Sequence, residues 1–141
     1  MAAVGRSEEA LKKIEESEQS FRLAAQENYE SGEWMAIIEG NYNFHMTIAR
    51  AGRNQYLAIF YKRVLDEGRR MLYVHNEFLS NSLGATADRL NSGHAEIVEA
   101  IRDRDADRAE QLAYEHASQF KGNFLKYLKQ SVTSKVKIVM A

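Results

Sequence analysis

The residues of this chain best equipped for chemistry are its four histidines, His45, His75, His94 and His116. Each falls inside an apolar stripe spaced i, i+3, i+4, i+7, the pattern of a helix face turned toward a core. Trp34, Ile37, Ile38, Phe44 and Ile48 surround His45; Leu90, Ile97, Val98 and Ile101 surround His94; Ala109, Leu112, Ala113, Phe120 and Phe124 surround His116. Asn41 precedes His45 by four residues, so the two side chains stack one turn apart. A single inward histidine is commonly a hydrogen-bonded core residue. Three from separate segments suit a second purpose, because helix bundles build metal sites from facing helices, with ligand pairs at i,i+3 or i,i+4. His75 meets the same criterion, within the stripe Leu57, Phe60, Tyr61, Val64, Met71, Leu72 and Phe78. Periodicity therefore nominates four histidines and leaves their grouping open. Asn41 alone is a weak signal, since Asn inside a helix often faces solvent or bonds to backbone.

Those stripes require helices to carry them. The chain has 141 residues and no proline, where average usage near 5% would give about seven. Proline breaks helix interiors, so its absence points to an all-α fold. Five helices are expected, over about 7–29, 33–51, 55–79, 86–104 and 106–132. Gly52 ends the second, while Asn54 and Asp105 are expected as N-caps of the third and fifth. Ser80-Asn81-Ser82-Leu83-Gly84 reads as a loop, and Thr133–Ala141 stays unassigned. No linker, repeat or composition shift divides residues 1–141, so one domain is expected.

Composition removes several classes of function. There is no cysteine, which excludes thiolate metal sites and a cysteine nucleophile. Nineteen Lys+Arg against 20 Asp+Glu give a net charge of −1, which argues against a nucleic-acid-binding face. Mean hydropathy is −0.50, and no apolar run approaches the ~18 residues of a membrane span. Without a signal peptide at Met1–Ser20, a cytoplasmic protein is expected.

Two separated stretches carry a family resemblance. Asn41-Tyr42-Asn43-Phe44-His45, then Ala51-Gly52-Arg53-Asn54 and Leu57, resembles a D-x-x-F-H…A-G-N-x-x-L pattern. His94-Ala95-Glu96-Ile97-Val98-Glu99-Ala100-Ile101, followed by Asp105, Ala109 and His116, resembles H-x-x-I-x-x-A-I…D-x-x-x-A…H. Both belong to the FCD domain, the effector-binding C-terminal domain of FadR-subfamily GntR transcription regulators. The resemblance spans about Glu8–Tyr127. It implies a single antiparallel helical bundle with one divalent metal in a central cavity. Carried over by position, the ligands are Asn41, His45, His94 and His116, while His75 matches no family ligand and reads as a core, interface or pocket-wall residue.

Two departures stand out. Asn41 occupies a position where the family most often has Asp, and a neutral amide gives up the strongest electrostatic attraction for a cation, so weaker occupancy is expected. The family's opening apolar helix and its winged helix-turn-helix have no counterpart before Ser7, so the chain is expected to be a piece cut from a longer regulator.

The resulting expectation is a ligand sensor. A small carboxylate effector would bind at a divalent transition metal, with Zn, Ni and Mn equally compatible. Arg69, on the flank of its stripe, is the candidate to clamp that carboxylate. A homodimer is expected from the resemblance, with DNA contacted only through the missing domain and no membrane partner. Alternatives are a metal-free structural or dimerisation bundle, a His-metal hydrolase, and direct DNA binding. The hydrolase lacks an acidic residue on the histidine stripes to serve as general base, because Glu96 and Glu99 fall on the outward side.

Overall fold

The computed structural model describes residues 1–83, 86–90 and 93–139, and among them there are seven helices and no strand. They are α1 (Ala2–Gly5), α2 (Glu8–Asn28), α3 (Trp34–Ala51), α4 (Gln55–Leu83), α5 (Ala87–Leu90), α6 (His94–Arg102) and α7 (Ala106–Val139). The fold is an all-α helical bundle. No helix among the described residues is long and apolar enough to cross a membrane.

Side-chain caps set several of the boundaries. Ser7 accepts from the Ala10 amide at 3.1 Å and starts α2. Asn54 Oδ1 accepts from Leu57 N at 3.1 Å, and Asp105 Oδ1 from Arg108 N at 3.0 Å, so both expected caps are present. Gly52 does close α3, but in right-handed conformation; the positive φ that turns the chain falls on Arg53, at 55°.

Two expectations are corrected. The expected loop over 80–84 is helical through Leu83, with Gly84 outside the described residues. Phe78 and Leu79 are buried there, and packing outweighs the turn propensity of Ser80, Asn81 and Ser82. The single helix expected over 86–104 is instead α5 and α6, with Gly93 just ahead of α6 at a φ of 93° that no continuous helix tolerates. The segment left unassigned at the end continues α7 to Val139, and residues 140–141 lie outside the described residues.

The core lies in two parts. Ala3, Leu11, Ile14, Phe44, Ala51, Ile97, Val98 and Ile101 form one cluster; Phe21, Ala25, Tyr29, Trp34, Ile37 and Ile38 form the other. Helix α2 packs along α3, α3 along α4, and α6 along α7. Gly40 makes the first pairing close, since a Cβ there would stand 3.2 Å from the Phe21 Cα. Fully burying each large aliphatic or aromatic side chain of these clusters contributes about 1.5–3 kcal/mol. The α4 stripe behaves differently. Leu57, Phe60, Val64 and Met71 are all exposed, and the buried members of the stripe, His75 and Phe78, lie toward its C-terminal end beside the buried Asn76 and Leu79. On α2 the buried positions are Leu11, Ile14, Phe21 and Ala25, while Leu23 is exposed.

Candidate metal centre

Three helices bring three imidazoles together between the two halves of the core. Helix α3 supplies His45, α6 supplies His94 as its first residue, and α7 supplies His116. One ring nitrogen from each lies within 4.8 Å of the others. His94 Nε2 and His116 Nε2 are 3.2 Å apart. Among the described residues this group of potential ligands contains no carboxylate.

The neighbours of each ring explain its placement. His94 is 0% exposed and wedged between Phe21 and Phe44, at ring separations of 4.7 and 4.3 Å. Its Nδ1 is buried with no hydrogen-bond partner among the described residues. His45 Nδ1 faces the Tyr61 hydroxyl at 3.4 Å. His116 is set against Gly93, where a Cβ would stand 3.2 Å from its Nδ1. That approach gives Gly93 a second reason to be glycine, beside its left-handed φ.

Burial strips water from these rings and disfavours their charged forms. Desolvation, and then the His116 ring beside it, push the His45 pKa down to about 3. His94 is held well below the ordinary imidazole value by burial and by its two histidine neighbours. Both rings are therefore neutral at pH 7, the state in which an imidazole lone pair can ligate a metal.

The donor set fits a divalent transition metal. Neutral imidazole nitrogens suit Zn, Ni, Cu or Fe over hard cations such as Mg or Ca. Two nitrogens each about 2.0–2.1 Å from a tetrahedral Zn stand about 3.3 Å apart, close to the 3.2 Å between the two Nε2 atoms. Tyr61 beside His45 Nδ1 occupies the position of the outer partner that commonly fixes a ligating ring.

A cavity of about 300 Å³ opens beside the triad, with Asn41, His45 and His116 in its wall. A second space of about 580 Å³ shares His45, Tyr61, His116 and Ala117 of its wall with the first. Asn41 thus shares a wall with two of the three histidines. His75 also lines the first cavity, with its ring 4.6 Å from that of Phe120.

Arg69 stands elsewhere. Its Nη1 donates to Glu39 Oε2 at 2.8 Å, its guanidinium lies 4.5 Å over the Tyr42 ring, and it lines neither cavity. The arginine in the wall of the 300 Å³ cavity is Arg89, on α5. Sequence reasoning missed it because an unbroken helix over 86–104 gives no reason to turn residue 89 toward the triad. Gly93, one residue before His94, was the available signal for a break. Tyr61 and Asn76 were also missed, since neither carries a spacing that sets it apart.

The FCD domain family matches residues 1–119 of the chain. The chain belongs to that family, the C-terminal effector-binding domain of GntR-family regulators. Such domains are parts of transcription regulators, which act by binding effectors and DNA. No curated protein and no solved structure matches the chain.

Proposed function

We propose that the domain senses a small carboxylate at a divalent transition metal held by His45, His94 and His116, with the Asn41 amide oxygen as a fourth ligand. The observation that carries this reading is the convergence of three imidazoles from three helices within 4.8 Å, two of them held neutral by burial. Membership of the FCD family supports it, and the FadR subfamily is the compatible branch.

The residues divide the work. Phe21 and Phe44 fix the His94 ring, and Tyr61 orients His45. Asn41 adds an oxygen but no charge, so the site keeps close to the full +2 of its cation. A bound metal would supply the electrostatic attraction that draws the effector's carboxylate into the 300 Å³ cavity. The absence of a carboxylate from the triad, among the described residues, counts against a hydrolase, which needs a general base near the metal.

In this reading the domain is cytoplasmic and works as a homodimer. Effector binding biases how a paired winged helix-turn-helix is held, which requires different affinities for the two arrangements.

One observation favours a second reading. The 3.2 Å between His94 Nε2 and His116 Nε2 also accommodates an N–H···N hydrogen bond, which would serve a metal-free bundle. Metal content separates the two. Elemental analysis of protein purified without chelator should give about one metal per chain. A value near zero that dialysis against Zn, Ni and Mn fails to raise would overturn the metal reading.

A further inference from the structure

One residue of the cavity wall is a glycine that neither the backbone nor the packing requires. Helix α4 lines the 300 Å³ cavity with Val64, Leu65, Gly68, Leu72 and His75, a set spaced as one helical face. Gly68 is the middle of that face and lies inside a 29-residue helix, where only proline is less favourable. At Gly40 the close approach of Phe21 excludes a side chain, and at Gly93 the left-handed φ does. Neither reason holds at Gly68. Its φ is not positive, and a Cβ there would meet no atom of the described residues within 4 Å. Gly122 shares that freedom but lines neither cavity. Glycine at position 68 therefore weakens α4 and keeps the volume of one side chain free in the cavity wall.

The free space lies close to the proposed metal ligands. Arg69, the next residue, reaches Glu39 at 2.8 Å and covers the Tyr42 ring at 4.5 Å. This turn of α4 is thus beside the turn of α3 that carries Asn41, and Asn41 and Gly68 line the same cavity. Around Gly68 the wall is hydrocarbon, from Val64, Leu65 and Leu72 of α4 and Ile38 of α3. The amides of a helix interior are already bonded within the helix, so the bare backbone offers contact to an apolar group rather than a donor to a polar one. We infer that the space over Gly68 receives a branched apolar group of the bound acid, which makes Gly68 the residue that sets how bulky an acid the domain accepts. The inference rests on the carboxylate reading proposed above and adds the chemistry of the rest of the acid.

Two acids that differ only in bulk test it, acetate and 3,3-dimethylbutanoate. Calorimetric titration of the Zn-loaded chain should show the branched acid binding at least tenfold more tightly, the effect of burying part of its added hydrocarbon. Gly68→Leu, which fills the space, should remove that preference and leave acetate affinity within twofold. Gly68→Ala should lower the preference in part while raising the melting temperature of the metal-free domain by about 4 °C, so that lost binding there is not a folding defect. Equal binding of the two acids by the unmodified chain would overturn the inference. So would a preference that survives Gly68→Leu, an equal loss of both acids in that variant, or a lower melting temperature in Gly68→Ala. No binding of either acid with Zn measured in place would instead sink the carboxylate reading, and this inference with it.

Discussion

Lowering the pH should destabilise the metal-free domain through its buried histidines, in a window set by the unfolded chain. His45 is held neutral in the fold with a pKa near 3, and His94 is depressed in the same direction. In the unfolded chain both titrate near 6.5. Above that value neither state carries the proton and stability is unaffected. Below it the unfolded state binds protons that the folded state refuses, so stability falls with pH. Each neutral imidazole costs about 1.36 kcal/mol per pH unit. Between pH 6.5 and 5.0 that amounts to about 2 kcal/mol for His45, and His94 adds in the same sense. His75 is depressed too and adds in the same sense. The lowered carboxylates, Glu9 and Asp66, are exposed and titrate only at lower pH, outside this window. Urea unfolding in the presence of chelator, repeated at half-unit steps of pH, measures the slope. His94→Phe should make it shallower. A stability that stays flat from pH 6.5 to 5.0 would refute the claim that burial keeps these rings neutral.

Two further outcomes test the ligand assignments. Asn41→Asp restores a charged oxygen one turn from His45, and a unit charge near a metal is worth about 1–4 kcal/mol at 4 Å in a partly solvated site; chelator competition should show at least tenfold tighter metal binding, and an unchanged affinity would remove position 41 from the ligand set. Arg69→Ala should change effector affinity less than twofold, because its guanidinium is engaged by Glu39 and Tyr42 outside both cavities, and stability should fall by no more than about 1 kcal/mol. A tenfold loss of effector binding in that variant would restore Arg69 as the clamp.

The helices and their caps were readable because their signals are local. Ser7, Asn54 and Asp105 cap with side-chain oxygens that reach amides three residues on, and sequence alone carries that chemistry. The inward position of His94 was readable for the same reason, as its neighbours Ile97, Val98 and Ile101 are buried with it. Grouping the histidines was not readable from spacing, because 49 residues separate His45 from His94 and the α4 stripe offered His75 on equal terms. The α4 stripe also shows why periodicity misleads: it reports that a face is apolar, not what covers it. Leu57 and Phe60 follow the pattern and are exposed. Arg69 lies outside the cavity and Arg89 in its wall for a third reason. Which arginine lines the cavity depends on the left-handed turn at Gly93 and on the Glu39 partner of Arg69, both properties of the tertiary arrangement.

Helix α6 explains how a site with only neutral donors could still hold a cation. At nine residues it is too short to persist alone, as isolated helices below about 12–15 residues are marginal. The fold secures both of its ends. At the N-terminus, Gly93 brings the backbone against His116 and sets His94 on the first turn. At the C-terminus, the buried Arg6 donates from Nε to the Ile101 carbonyl at 3.1 Å and from Nη2 to the Arg102 carbonyl at 2.6 Å. These bonds satisfy carbonyls that a helix end leaves open, with a positive charge where the helix dipole is negative. Arg104 ties the same corner to the Val4 carbonyl at 3.3 Å. His94 therefore sits on an element fixed at both ends, with its ring clamped between Phe21 and Phe44. A ring already held in place loses little freedom when it ligates, and that saving offsets part of what Asn41 gives up by carrying no charge.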